Sequence, residues 1–334
     1  MRIPRILEAY RESIEAGLAR ALEGDAPLRP TLRYHVGLEN EHGAAAQATG
    51  KLLRPSLVLF AAEQLGGRPE AALPGAVGLE LIHSFSLIHD DIQDRDRVRR
   101  GRPAVWTIWG VEQAINAGDL MHTLAVSTAF DASPAAAACL VRATQAMIEG
   151  QCLDLEYEHR DVTAEDYLTM IDRKTGALFR CAFELGGIAA GVDDRALALL
   201  KKLGQALGRA FQIQDDVLGI WGDDDLLGKA TGSDIRRRKK TLPVVLLLER
   251  AEGDDAAALA TFYRRREPSM ADLSGSDAAW VAERLNALGV KAACETMVRQ
   301  HLAEAGDRLR GLPFSDDARA SMDELIGFLA RRNQ

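Results

Sequence analysis

Apolar residues recur at helical spacing along most of the chain, and they almost never alternate with polar ones in the period of two that a strand needs. That pattern dictates an all-α fold. Helices are expected over 56–65, 76–91, 113–129, 135–151, 164–188, 196–218, 242–250, 277–288 and 291–309. The breaks are chemically clear. Gly66-Gly67-Arg68-Pro69 stops the helix before it, Gly101-Arg102-Pro103 interrupts a charge-rich run, Gly186-Gly187 falls inside or at the end of a long helix, and 222–232 is a polar loop. The stretch 252–276 turns from acidic to basic to polar and reads as a variable surface region. With no repeat and no low-complexity linker, residues 1–334 are expected to form a single helical bundle domain.

Composition supports this. Of 334 residues 47% are hydrophobic and only 5% aromatic, with alanine and leucine abundant. Ala, Leu, Arg and Glu lose little side-chain freedom in a helix. The 29 glycines and 11 prolines are too few for a disordered or fibrous chain. A net charge of −8 argues against nucleic-acid binding, which needs a positive surface. The N-terminus mixes Arg2, Arg5 and Glu8 with apolar residues and has no signal-peptide core. No stretch approaches the ~20 uninterrupted apolar residues of a membrane span. Cys139, Cys152, Cys181 and Cys294 show no metal-ligand spacing and read as buried free thiols, which fits a reducing cytoplasm.

The chemistry lies in two acidic clusters that each close an apolar helical run. The first is His89-Asp90-Asp91-Ile92-Gln93-Asp94. Asp90 and Asp94 stand four apart and so share a helix face. Two like charges repel there, and the helix C-terminus disfavours anions. A bridging cation removes both penalties, and hard carboxylate oxygens suit Mg²⁺, which takes water and phosphates as further ligands. A solvated charged helix end is the plain alternative. The second cluster, Gln212-Ile213-Gln214-Asp215-Asp216, also follows an apolar run. Two Asp-Asp helix ends facing one another would line a cavity able to hold several divalent ions.

Basic residues accompany both. Arg95, Arg97, Arg99, Arg100 and Arg102 follow the first cluster; Lys229 and 236–240 follow the second. Lys51 and Arg54 lie upstream in Gly50-Lys51-Leu52-Leu53-Arg54-Pro55, and Lys174-Thr175-Gly176 breaks a long helix. Any one such run is commonly a solvated face. Together, beside two acidic helix ends, they suit diphosphates, which arginine binds bidentately and lysine as a point charge.

At these residues the chain resembles the trans-polyprenyl diphosphate synthase family. The likeness runs from Tyr34 to Arg250 and is carried by GKLLRP (50–55), ELIHSFSLIHDDIQD (80–94), RRGRPAVW (99–106), KTG (174–176), FQIQDD (211–216) and GKATGSDIRRRKKTLP (228–243), in the family's order. It implies an isoprenoid-synthase-type fold of about a dozen helices around a central cavity, usually a homodimer. It implies Mg²⁺, three ions with Mn²⁺ as a substitute, held by Asp90, Asp94 and Asp215, with Asp91 and Asp216 supporting. Arg99, Lys174, Lys229 and Lys239 look like contacts to an allylic diphosphate (dimethylallyl, geranyl or farnesyl). Lys51, Arg54, His83 and Arg100 look like the isopentenyl diphosphate site. Thr175 and Gln212 would face a developing carbocation.

The implied reaction is a head-to-tail (1'-4) condensation with release of diphosphate. The protein positions charge, stabilises the leaving group and excludes water; no Ser or Cys nucleophile is needed. A hydrogen bond from His83 to a diphosphate is a better expectation than general-base catalysis by it. Phe85 and Ser86 stand five and four residues before Asp90, one turn or more deeper on the same helix. One aromatic there resembles the geranylgeranyl diphosphate synthase pattern; two would suggest farnesyl.

Three positions depart from the family. Gly219 stands where the second motif usually ends in Asp, with Asp223, Asp224, Asp225 or water as candidate substitutes. Arg238 stands where glycine is common, and Leu52 where a basic residue is common. A farnesyl or longer-chain synthase, a class I terpene cyclase and a non-catalytic subunit of a heteromeric synthase are the competing readings. The cyclase would have little use for the Lys51, Arg54, His83 and Arg100 set.

Overall fold

The computed structural model describes residues 3–46, 48–222, 232–263 and 272–330. Among them are 17 helices and one two-stranded hairpin, so the expected all-α class is correct. Contacts group the chain into two compact units, Met1–Thr144 with Leu178–Gly204 and Arg308–Glu324, and Gln145–Ala177 with Gln205–Asp307 and Leu325–Gln334.

The spine of the first unit is the Pro69–Gln93 helix, longer at both ends than expected. Pro69 opens it, where a missing N–H costs nothing. Its apolar residues, among them Leu79, Leu81, Ile82 and Ile88, are fully buried. Each such side chain contributes about 2 kcal/mol by leaving water. By length and composition this helix could cross a membrane, yet its most apolar window is 67% buried within the protein, as in a core helix. It lies close against the Val111–Ala132 helix, because a Cβ on Gly78 would stand only 2.8 Å from the Ala125 carbonyl oxygen. Gly186 similarly lets the Gly176–Ala190 helix approach Leu53–Gln64, where a Cβ would come within 2.6 Å of Ala61 Cβ.

Three N-terminal helices, Arg5–Ala9, Arg11–Ala21 and Arg29–Val36, were not expected from the sequence. Each is short and rich in charge, and each is held by a few buried residues such as Ile6, Ile14, Leu18 and Leu32. The hairpin Val98–Arg99 / Arg102–Pro103 is likewise a correction to a strandless reading. Its two central residues, Arg100 and Gly101, have φ of 53° and 72°. Positive values at both positions make a turn whose twist matches the strands. Glycine adopts this freely; Arg100 does so at a cost.

The expected helix 164–188 is two helices, Ala164–Lys174 in the second unit and Gly176–Ala190, which from Leu178 onward belongs to the first. Gly150 lets the Pro134–Tyr157 helix pass close to this break, since a Cβ there would collide with the Lys174 backbone nitrogen. The Ala164–Lys174 helix starts at a reciprocal cap between Thr163 and Asp166. Leu242–Arg250 has the expected bounds. The stretch 252–276 is not wholly irregular: Gly253–Phe262 is a helix, with Asp254 and Asp255 in its first turn where the dipole favours anions. Ile213, Val217, Val244, Leu247, Val281 and Leu285 form its core. Of the four cysteines, Cys152 is exposed rather than buried, because it sits on the outward face of the Pro134–Tyr157 helix.

Candidate active site

In the first unit the Pro69–Gln93 helix carries its acidic cluster on the last turn. Asp94 caps the helix, its N–H donating to the Asp90 carbonyl at 2.8 Å. Asp90 and Asp94 are both half-buried and one turn apart. Asp91 points the other way, with a side chain only 1% exposed. It accepts from Arg99 Nε at 2.8 Å and from Arg99 Nη2, while the same guanidinium lies 3.7 Å from Asp96. Burial opposes the charge on Arg99, but Asp91, Asp96 and Asp90 outweigh it and hold the group protonated. Arg99 therefore fastens the hairpin to the acidic helix end.

The next residue, Arg100, leaves the turn toward buried Glu80, with Nη2 3.9 Å from Oε1. Burial raises the Glu80 pKa, and Arg100 and Arg54 oppose that rise. Gly50 makes room for the guanidinium, since a Cβ there would stand 2.7 Å from Arg100 Cζ. Arg11 holds this loop in place by donating to Thr49 Oγ1 at 2.9 Å and to the Gly50 carbonyl at 3.1 Å. Beyond it, Lys51 is exposed, Leu52 takes a φ of 51°, and Arg54 sits 5.0 Å over the Phe179 ring.

Arg54 Nη1 and His83 Nε2 are 3.2 Å apart. Burial, then the positive Arg54 and Arg100, holds the His83 pKa well below its usual value. The ring is neutral at pH 7. Arginine only donates, so Nε2 accepts and the ring proton sits on Nδ1. Three of the four residues expected to bind isopentenyl diphosphate thus gather around Glu80, with Lys51 on the adjoining loop.

Deeper on the same helix, Phe85 is buried. Its ring meets His89 at 4.9 Å and His122 of the neighbouring helix at 5.4 Å between centroids. Gly118 leaves the space that His89 fills. Ser86 is half-buried, and its hydroxyl donates back to the His83 carbonyl at 2.8 Å.

In the second unit Asp215 is exposed and Asp216 is buried, as adjacent positions on a helix side require. Asp216 accepts from Tyr167 Oη at 2.5 Å, Gln212 Nε2 at 3.0 Å and the Leu242 N–H at 3.2 Å. Burial pushes its pKa up to about 7, although those three donors pull it down. Gln212 turns its Oε1 to the Thr175 hydroxyl, which donates at 2.6 Å. Lys174 Nζ pairs with Asp154 at 2.5 Å. Lys239 is half-buried, and its N–H donates to the Asp234 carbonyl at 2.9 Å. Lys229, Asp223, Asp224 and Asp225 lie outside the described residues.

Sequence reasoning did not single out Glu80, Tyr167, Asp154, Asp234 or His122. Glu80 and Asp234 lie within stretches that carry the resemblance; the others carry no local signal because their partners are distant in the chain. The donors at both Asp-Asp pairs are hard oxygens, the first at the end of the Pro69–Gln93 helix and the second within the Asp194–Trp221 helix. Among the described residues no three metal-ligating side chains converge on one point.

An all-helical chain with an Asp-Asp pair on each of two helices and a cluster of guanidinium groups around Glu80 has the features of the class of enzymes that handle prenyl diphosphates. The polyprenyl synthetase family model matches residues 38–276, and the chain belongs to that family. It is 38% identical over 314 residues to the (2E,6E)-farnesyl diphosphate synthase of Mycobacterium tuberculosis, covering 92% of this chain and 87% of that one. It is 40% identical over 310 residues to the geranylgeranyl diphosphate synthase of the same organism, covering 90% and 85%. The crystal structure of a polyprenyl synthetase from Streptomyces coelicolor superposes with a TM-score of 0.89 at 35% identity, covering 98% and 99%. The chain is a prenyltransferase that elongates prenyl diphosphates.

Proposed function

We propose that this enzyme condenses isopentenyl diphosphate with an allylic diphosphate, in the presence of Mg²⁺, and stops at geranylgeranyl diphosphate. One observation carries the chain length: Phe85 is buried between His89 and His122 beneath the first acidic motif, with small Ser86 beside it. One ring closes the floor only partly, where two would leave room for a shorter product. The named relatives include both farnesyl and geranylgeranyl synthases, so the family alone does not select between them.

Asp90, Asp94 and Asp215 are the residues that would hold Mg²⁺. Their fit rests on an all-oxygen donor set and on an Asp90–Asp94 pair whose repulsion at a helix C-terminus a cation relieves. Bound there, Mg²⁺ neutralises a diphosphate leaving group. The chain's own groups do the rest. Lys51, Arg54 and Arg100 hold the isopentenyl diphosphate, with neutral His83 orienting Arg54. Lys174, Lys239 and, outside the described residues, Lys229 hold the allylic diphosphate. Because the Thr175 hydroxyl hydrogen is committed to Gln212, its oxygen offers only lone pairs to positive charge nearby. The exposed apolar Ile115 and Phe130 on the Val111–Ala132 helix support a homodimer.

Incubation with isopentenyl diphosphate, Mg²⁺ and each of the dimethylallyl, geranyl and farnesyl starters tests this reading. Chromatography of the dephosphorylated products should give geranylgeraniol as the end point. Accumulation of farnesol, or of longer alcohols, would replace the assigned product.

A further inference from the structure

The second acidic motif lacks its last carboxylate, because position 219 is glycine. A Cβ built on Gly219 would collide with Asp234 Oδ2, at far less than van der Waals distance. The space a side chain at 219 would take is therefore filled by a carboxylate from elsewhere in the sequence. We infer that Asp234 is the surrogate third carboxylate of this motif and acts on the divalent ion held by Asp215. The inference rests on the reading of Asp215 as a metal ligand given above.

The local structure explains how Asp234 reaches that place. Gly232 turns the chain at a φ of 73°, and a single helical turn, Ser233–Arg236, follows. Ile235 is buried and pins the turn to the core. The Lys239 N–H closes it by donating to the Asp234 carbonyl at 2.9 Å, and the Leu273 N–H donates to the Arg236 carbonyl at 2.9 Å. Asp234 is only half-buried, so it is not drawn in as a core group. Its charge is felt at the Tyr167 hydroxyl, which Asp216, Asp154 and Asp234 together help to keep protonated after burial. Asp234 thus shares one locality with Asp216 and Gly219. Gly219 is the counterpart of this arrangement: any side chain there would expel the carboxylate that replaces its own.

Titration of the full chain with Mn²⁺ and inorganic pyrophosphate, followed by the electron paramagnetic resonance of free Mn²⁺, tests the assignment without turnover. Asp234→Asn should weaken one class of Mn²⁺ site about tenfold or more. Gly219→Ala keeps every carboxylate but displaces Asp234, and should weaken the same class. Asp234→Ala combined with Gly219→Asp returns a carboxylate to position 219 in vacated space, and should recover most of the loss. This double variant decides the matter if Asp234→Asn melts early by circular dichroism. Unchanged Mn²⁺ binding in Asp234→Asn, or no recovery in the double variant, overturns the inference. Asp215→Asn separates the two levels. If it loses Mn²⁺ while Asp234→Asn does not, only the surrogate role is lost; if it too binds normally, the metal reading fails with it.

Discussion

Arg54 donates to the Nε2 of a neutral His83 across 3.2 Å, so this guanidinium is aimed by a side chain that carries no charge itself. A hydrogen bond from a charged donor contributes about 1.5–3 kcal/mol. His83→Phe should therefore raise KM for isopentenyl diphosphate at least tenfold while changing kcat much less. His83→Gln, which keeps an acceptor, should recover much of the affinity. Equal KM in all three proteins would remove His83 from substrate positioning.

Asp91 and Arg99 form an ion pair in which the Asp91 carboxylate is fully buried. Breaking such a pair by removing one charge costs about 3–5 kcal/mol, because the other is left uncompensated. Asp91→Asn should lower unfolding free energy in urea by about 3 kcal/mol. Removing both charges, in Asp91→Asn with Arg99→Leu, should cost less than the two single changes together. Strict additivity would show that the contact carries no coupling.

Phe85 is the proposed floor of the product channel, and its neighbours His89 and His122 are larger than the alanine that would replace it. Phe85→Ala should shift the alcohols recovered after dephosphorylation to longer chains, with the rate of the first condensation little changed. An unaltered product distribution would move the floor elsewhere.

His35 links stability to pH. It is buried beside Arg100, Arg99 and Arg102, and burial followed by those charges holds its pKa down to about 3. The unfolded value is about 6.5. Above that value neither state binds the proton, and His35 adds no pH dependence. Below it the unfolded chain binds a proton that the native chain refuses, so stability falls by about 1.4 kcal/mol per pH unit. Urea midpoints measured between pH 7.5 and 5 should fall on acidification, and His35→Gln should flatten the slope. A slope that survives the substitution would assign the effect to other groups.

Phe130 is 61% exposed on the same helix as exposed Ile115. If this face joins two copies, Phe130→Asp with Ile115→Asp should halve the mass measured by light scattering without lowering helicity. A wild-type mass already equal to one chain would exclude the homodimer.

Much of this architecture was legible in the chain because helical periodicity and phosphate chemistry are local signals. The run before Asp90 reads as a helix, and the Leu242–Arg250 bounds follow from the apolar run and its flanks. Short elements were not legible. The Arg11–Ala21 helix offers few periodic apolar residues and is stabilised largely by what it packs on. The hairpin depends on Arg100 adopting a positive φ that its side chain disfavours.

The sequence by itself determined the all-helical class, the family and the residue types able to hold a diphosphate, since each depends on neighbours within a few positions. Only the tertiary structure decided which charges face which. Asp91 is matched to Arg99 and Asp216 to Tyr167, and Asp234 stands where Gly219 has no side chain. Those pairings join residues that the chain separates by 8, 49 and, from 219 to 234, 15 positions, and a carboxylate's role is set by the partners that burial leaves it.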